Sequence, residues 1–244
     1  MVNQEDFSRL KQDAESGKYC EQCRAKRKNF TTENGKKCLV KENKHSIGLC
    51  PVCLGCWSDG TKELPNTIDV MIVTESHGGG TIWKQIGTPM DDIIHHKYEH
   101  YVIIPHEKFH SYLVNKILKE LTKRGIKWYL TDLVKCYVDK DNANNFKVAC
   151  EQCKHYLKRE KDIIEPKMTI FMAKSVFKND DQLKELFKPN ILFYNPSRMT
   201  ADWCIEELLK WAKKKYNEEV EDGGDVVEYG IKAIVDEIVT EIKP

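Results

Sequence analysis

The sequence lacks any hydrophobic run that approaches the roughly 20 residues of a membrane-spanning helix, so we expect no membrane association. It also lacks an excess of charge of either sign, because 39 Lys and Arg residues balance 38 Asp and Glu residues. The total charge therefore does not indicate a nucleic-acid partner. The first 19 residues are polar and amphipathic, unlike a secretory signal, and this favours a cytoplasmic protein.

Basic residues are nevertheless concentrated locally, in residues 24–28, 36–37 and 213–215. Most basic runs of this kind are simply exposed to solvent. Contact with DNA is the less common alternative for any one of them. Charge alone decides nothing about the partner.

Cysteine, in contrast, is used heavily and in groups. Of the ten cysteines, six lie in the first quarter of the chain, three lie between residues 136 and 153, and Cys204 stands alone. Without an export signal we expect few disulfides, and such grouping is typical of metal ligation. Apolar residues do not recur at a regular spacing in residues 19–59, so this segment cannot build an apolar core. Metal ligation would have to supply the missing stability there.

The rest of the chain alternates strands with helices. A short amphipathic helix is predicted at residues 4–16, and an α/β pattern follows residue 60. The predicted strands are residues 68–73, 128–134, 168–173 and 191–194, and the predicted helices are residues 108–123, 147–164, 181–187 and 202–216. This order favours a three-layer α/β/α fold with a central four-stranded parallel sheet, plus an N-terminal Cys-rich metal-binding segment. We divide the chain into residues 1–60, the helix and Cys-rich segment, and residues 61–244, the α/β domain.

In such sheets ligands bind beyond the carboxyl ends of the strands. The segments at those ends are residues 74–80, 132–136 and 195–198. They contain acidic, amide, histidine and glycine residues, which suit catalysis better than packing. A nucleotide-binding loop around the glycines at 78–80 is a weaker alternative, because no Lys-Ser/Thr pair follows them.

These segments carry motifs that resemble the uracil-DNA glycosylase superfamily, particularly its iron–sulfur branch. Residues 73–78 correspond to a Gly-Glu-Ala-Pro-Gly loop after the first strand, and residues 131–136 to Thr-Asn-hydrophobic-hydrophobic-Lys-Cys. Residues 153–160 match Cys-x-x-Tyr-Leu-x-Arg-Glu, and residues 195–197 read Asn-Pro-Ser where that branch has His-Pro-Ser. The resemblance covers roughly residues 50–215.

The resemblance implies a DNA glycosylase, which hydrolyses the N-glycosidic bond of a flipped-out base and leaves an abasic site. Glu75 would stabilise the oxocarbenium-like sugar or orient water, and its structural alternative is a helix cap. His77 would protonate or hydrogen-bond the leaving base, although a lone histidine is as often structural. Asn195 is assigned to catalysis with them. The residues assigned to substrate binding are Asp132, Ser76, Gly78, Phe109, Ser197 and Arg198.

Asp132 departs most informatively from these motifs, which have asparagine at this position. An ionised carboxylate only accepts hydrogen bonds, so it would repel the carbonyl of uracil and favour the exocyclic amine of a cytosine-type base. The proton that the cytosine ring nitrogen needs would come from a protonated Asp132 or reside on the base itself. The alternative is that Asp132 only caps a loop.

A modified cytosine is the sensible target, because removal of unmodified cytosine would damage the cell's own DNA. Residues 81–105 form an insertion that could enlarge the pocket for a bulky adduct, as in bacterial antiphage glycosylases acting on glucosylated hydroxymethylcytosine. Trp83 and Tyr101 join Phe109 as candidates to stack on the base, although each is more often core. The alternatives are a uracil-DNA glycosylase of base-excision repair and a non-enzymatic zinc-containing DNA-binding protein. No obligate protein partner is predicted.

The resemblance also implies a metal centre. The preferred partition gives an iron–sulfur cluster four thiolate ligands, Cys53, Cys56, Cys136 and Cys153. A tetrahedral zinc site would then take Cys20, Cys23, Cys38 and Cys50, with His45 able to replace one of them. Cys150 and Cys204 are interpreted as buried apolar residues.

Overall fold

A computed structural model describes most of the predicted α/β domain and the N-terminal helix. The described residues are 1–16, 56–58, 64–76, 109–134, 143–172, 180–193, 201–216 and 226–242. The helices are α1 (Gln4–Ser16), α2 (Phe109–Lys123), α3 (Ala143–Ile164), α4 (Asp181–Leu186), α5 (Ala201–Tyr216) and α6 (Val226–Ile242). The strands are β1 (Cys56–Trp57), β2 (Val70–Ser76), β3 (Trp128–Val134), β4 (Met168–Phe171) and β5 (Asn190–Leu192).

The predicted sheet is confirmed. Strands β3, β2, β4 and β5 are adjacent in that order, and all three pairings among them are parallel. The two-residue strand β1 adds an antiparallel edge beside β3 and was not predicted, because two residues are too few to show a strand period. Helices cover both faces of the sheet, as the three-layer architecture requires.

The alternation of side chains along each strand divides the core in two. Met71, Val73 and Tyr129 belong to a buried cluster that also contains residues of α1, α3 and α4. Val70 and Ile72, whose side chains point the other way, belong to a cluster with residues of α2, α5 and α6. Strands buried on both faces read as continuous apolar runs, which is why β2, β3 and β4 were visible in the sequence.

Helix ends follow local sequence signals. Gly125, two residues after the end of α2, has φ +71°, and its N–H donates to the Thr122 carbonyl at 3.0 Å. The N–H of Ile126 reaches back to the Leu121 carbonyl at 3.0 Å, which completes a Schellman motif. At the start of α1, Asn3 Oδ1 accepts from the backbone N–H of Glu5 and of Asp6.

Helix α1 is part of the same core as the sheet. Leu10 is fully buried. The Phe7 ring packs edge-on against the rings of Trp57 and Tyr129, with ring centroids 6.1 and 6.2 Å apart. The division of the chain at residue 60 stays a prediction, because residues 17–55 lie outside the described residues. In the part of the chain that the structure describes, no helix is long and apolar enough to span a membrane.

Helix α6 was not predicted, although the sequence carries a signal for it. Its buried residues recur at helical spacing, as Ile231, Ile234, Val235 and Ile238 show. It packs against α5 and α2. The crossing with α5 is close at Gly230, where an added Cβ would lie 2.9 Å from Leu208 Cα and closer still to Leu208 Cβ.

Gly230→Ala should therefore destabilise the protein, although Gly→Ala in a helix is ordinarily favourable by roughly 0.5–1 kcal/mol. The new methyl group would meet backbone that cannot move aside, and such overpacking costs about 1–3 kcal/mol. Thermal unfolding measures this, at roughly 2–4 °C per kcal/mol for a chain of this size. The exposed Glu241→Ala on the same helix is the control. An unchanged or raised Tm for Gly230→Ala would contradict the close crossing.

Candidate active site

The carboxyl ends of β2 and β3 lie side by side. Thr74 is the register partner of Asp132, and Ser76 is the partner of Val134. The first predicted strand ends at residue 73, whereas β2 continues for three more residues, to Ser76. The longer strand follows from this pairing, and it places Glu75 within β2 instead of in a loop.

Two buried carboxylates mark this edge. Glu75 is 1% exposed and Asp132 is 2% exposed. Among the described residues, only Glu160 is a further buried acidic side chain. Burying a carboxylate costs free energy unless hydrogen bonds or a charged partner offset the cost, and buried ionisable groups are concentrated at functional sites. Two buried carboxylates at one edge of the sheet therefore mark a candidate site.

Glu75 faces the α3 side of the sheet. It follows Val73 by two residues, and strand alternation gives the two side chains the same direction. Its charge acts on Cys150 of α3. Burial raises the pKa of the Cys150 thiol to about 12, with smaller contributions from Cys153 and Glu75. Cys150 is therefore a protonated, buried thiol, in keeping with its interpretation as an apolar residue.

Asp132 lies on the other face of the sheet. The hydroxyl of Thr74, its register partner, donates a hydrogen bond to Asp132 Oδ1. The same hydroxyl lies 3.4 Å from the Thr131 carbonyl, a longer and weaker contact. Thr74 shares its face with Ile72, which packs among residues of α2 and α6.

The two carboxylates therefore occupy neighbouring strand ends but opposite faces of the sheet. A substrate that contacts both must lie across the carboxyl edge and cannot lie against one face alone. This arrangement agrees with the general location of ligands in parallel sheets, beyond the carboxyl ends of the strands. The sequence placed both residues at this edge but could not assign their faces.

Two residues of the motif at 153–160 have a structural role that the sequence did not predict. Glu160 is fully buried and accepts hydrogen bonds from Tyr129 Oη at 2.8 Å and Thr131 Oγ1 at 3.0 Å. Arg159 forms a 2.7 Å ion pair with Asp13 of α1. The motif thereby joins α3 to β3 on one side and to α1 on the other, and it supports the strand that carries Asp132.

The proposed metal ligands are described only in part. Cys153 is 1% exposed, and it shares a buried cluster with Trp57, which follows Cys56, and with Val134, two residues before Cys136. Cys56 is also the end of β1 nearer to the carboxyl edge of β3, because β1 is antiparallel. Cysteine thiolates are ligands that iron–sulfur clusters and zinc both prefer, so the residue type fits either metal centre.

Most of the proposed ligands cannot be compared with the structure. Among the described residues, no group of three His, Cys, Asp or Glu is placed to hold a metal ion. For Cys56 only the backbone is described. The candidate ligands outside the described residues are Cys20, Cys23, Cys38, His45, Cys50, Cys53 and Cys136. Both metal sites stay predictions.

Several other proposed site residues also lie outside the described residues, namely His77, Gly78, Asn195, Ser197 and Arg198. Only the backbone is described for Ser76, the last residue of β2, and for Phe109, the first residue of α2.

The basic run at the end of α5 is partly neutralised within the protein. Lys215 pairs with Glu237 of α6 at 3.0 Å, and Lys214 lies 3.7 Å from the same carboxylate. Lys214 also sits 5.1 Å from the centre of the Trp211 ring. The pairs lower the pKa of Glu237, chiefly through the hydrogen bond from Lys215. This run therefore contributes to helix packing.

The family model of the uracil DNA glycosylase superfamily matches residues 65–221, which is more than half of the chain. The chain belongs to the uracil DNA glycosylase superfamily, as its motifs predicted. Membership implies DNA glycosylase activity in general and DNA as the substrate. The match includes Glu75 and Asp132, and it leaves α1 and α6 outside. A comparison with curated proteins found no match.

Proposed function

We propose that this glycosylase excises a modified cytosine, such as glucosylated hydroxymethylcytosine, and leaves an abasic site. The observation that carries the proposal is the buried Asp132 carboxylate at the carboxyl edge. Its oxygens are acceptors, and a cytosine-type base offers an exocyclic amine where uracil offers a carbonyl. Thr74 already donates to Asp132, as expected of a carboxylate acting as an acceptor.

The proposed reaction breaks the bond between C1′ of the sugar and the base nitrogen. The bonding electrons leave with the base, and positive charge develops on the sugar. Glu75 would stabilise that charge or orient the water whose oxygen bonds to C1′, and the proton of that water would be released. A proton on the cytosine ring makes the base a better leaving group. His77 and Asn195 are the further residues proposed to assist its departure.

Other parts of the chain support the choice of a bulky adduct. The insertion at residues 81–105 adds length beside the first site segment, and Phe109 follows it. The target base must leave the duplex to be reached, and an aromatic side chain would stack on it. A cytoplasmic enzyme with this preference suits defence against viral DNA that carries modified cytosine.

The proposal is tested with oligonucleotides that carry uracil, cytosine, hydroxymethylcytosine or glucosylated hydroxymethylcytosine. Alkaline cleavage of abasic sites reports excision of each base. Preference for a cytosine derivative supports the proposal, whereas efficient excision of uracil alone identifies a repair enzyme. DNA binding without excision of any base would indicate a non-enzymatic DNA-binding protein.

We also propose that the cysteines hold one iron–sulfur cluster and one zinc ion. Cys53, Cys56, Cys136 and Cys153 would hold the cluster, and Cys20, Cys23, Cys38 and Cys50 the zinc. Their role would be structural, since ligation can order a segment that has little apolar core. Anaerobically purified protein should contain about one zinc and one cluster per chain.

Elemental analysis and visible absorption measure this metal content. Cys153→Ser should remove the cluster absorption while zinc remains, and Cys150→Ser is the matched control on the same helix. Protein with neither metal would contradict both sites. Loss of cluster absorption in the Cys150 variant but not in the Cys153 variant would overturn the partition.

A further inference from the structure

Two of the positions at which the site departs from the superfamily motifs, Thr74 and Asp132, are in direct contact. With Glu75 aligned to the glutamate of the Gly-Glu-Ala-Pro-Gly motif, Thr74 takes the place of its first glycine, and Asp132 takes the place of asparagine. Thr74 and Asp132 are register partners on adjacent strands. A glycine at position 74 has no side chain with which to contact residue 132, whereas the threonine hydroxyl bonds to its carboxylate.

The hydroxyl of Thr74 has one proton, and two acceptors among the described residues lie within its reach. The Thr131 carbonyl is 3.4 Å away, and Asp132 Oδ1 is closer. The closer acceptor forms the stronger bond, so the hydroxyl of Thr74 donates to Asp132. A donor at Oδ1 favours the ionised form of the carboxylate and fixes the plane of its two oxygens.

We propose that Thr74 is a positioning residue that sets base preference by holding Asp132 as an oriented, ionised acceptor. This inference rests on the proposed function, in which Asp132 contacts the base. The inference also decides where the proton on the cytosine ring nitrogen comes from. The two sources that the sequence leaves open are a protonated Asp132 and the base itself. An ionised Asp132 has no proton to give, so the proton resides on the bound base, and the carboxylate accepts from it.

The test is a double-mutant cycle between Thr74 and Asp132. The kcat/KM for the preferred cytosine derivative and for uracil is measured in the wild-type protein, Thr74→Val, Asp132→Asn and the double variant. Thr74→Val should lower kcat/KM for the preferred base about tenfold, the scale of a lost hydrogen bond to a charged group. In the Asp132→Asn background the same change should have a clearly smaller effect, because the hydroxyl then donates to a neutral amide oxygen instead of a charged carboxylate.

Two further variants separate positioning from folding. Thr74→Ser retains the hydroxyl and should stay near the wild-type rate. Thr74→Ala removes the hydroxyl and adds no bulk, so it takes the place of Thr74→Val in the cycle if the valine variant does not fold. Thr169→Val changes a buried threonine on the neighbouring strand β4, opposite Met71, and should leave base preference unchanged.

Additive effects in the cycle, or a serine variant as impaired as the valine and alanine variants, would overturn the role of Thr74. The cycle can be run on whichever base the wild-type protein excises. If that base is uracil and the two residues are still coupled, the cytosine proposal fails while Thr74 remains the positioning residue. If a cytosine derivative is preferred and the residues are uncoupled, only the Thr74 inference fails.

Discussion

Replacing Asp132 by asparagine should reverse the base preference of the enzyme. In the wild-type protein a uracil carbonyl would face the Asp132 carboxylate, and two acceptors without a shared proton cost on the order of a few kcal/mol in a buried site. Each 1.4 kcal/mol is about tenfold in rate, so discrimination against uracil should be roughly a hundredfold or more. The asparagine amide can donate to the carbonyl and accept from the ring N–H, so the variant should gain uracil activity and lose activity on cytosine derivatives.

The ratio of kcat/KM for the two bases measures this change. Asp69→Asn is a matched control, because Asp69 precedes β2 at the opposite edge of the sheet and pairs with Lys167 at 2.9 Å. It exchanges the same atoms far from the site and should leave the ratio unaltered. An Asp132→Asn protein that keeps the wild-type ratio would show that this side chain does not select the base.

Replacing Glu75 by glutamine should lower turnover at least tenfold. The exchange keeps the shape of the side chain and removes the negative charge that would stabilise the developing sugar cation or orient water. Lost electrostatic or acid–base contributions are typically on the order of a hundredfold or more, so tenfold is a lower bound. DNA binding should survive, because the substitution is isosteric and Glu75 is buried within β2.

Single-turnover rates and a separate measurement of DNA affinity distinguish the two effects. Glu151→Gln, an exposed change on α3, is the control for a lost carboxylate on the same side of the sheet. Since Glu75 and Asp132 lie on opposite faces, Glu75→Gln should slow excision of each base by the same factor. Near-normal turnover in Glu75→Gln would remove this residue from the chemistry.

The sequence predicted the sheet because its central strands are buried on both faces and read as apolar runs. It also predicted that Glu75 and Asp132 would meet at one edge, because parallel strands bring their carboxyl ends together. The length of β2 was missed, since Thr74, Glu75 and Ser76 are polar and resemble a loop. Their inclusion in the strand depends on pairing with β3, which is a tertiary contact.

The hydrogen-bond partners were beyond sequence reasoning. Nothing local links Thr74 with Asp132, which is 58 residues away, or Tyr129 with Glu160, 31 residues away. Such pairs are set by strand register and by the rotation of α3 over the sheet. Helix α6, in contrast, has buried apolar residues at helical spacing, a pattern that is visible in the sequence alone.

The packing of α1 and α6 against the rest of the fold limits how far the chain can be truncated. Residues 65–221 match the family model, yet fully buried side chains of the core come from outside that range: Leu10 of α1, and Val235 and Ile238 of α6. A fragment trimmed to the matched residues would expose the apolar surfaces that these helices cover, and exposed apolar patches of that kind promote aggregation. The cooperatively folded unit of this chain therefore extends on both sides of the residues that match the family model.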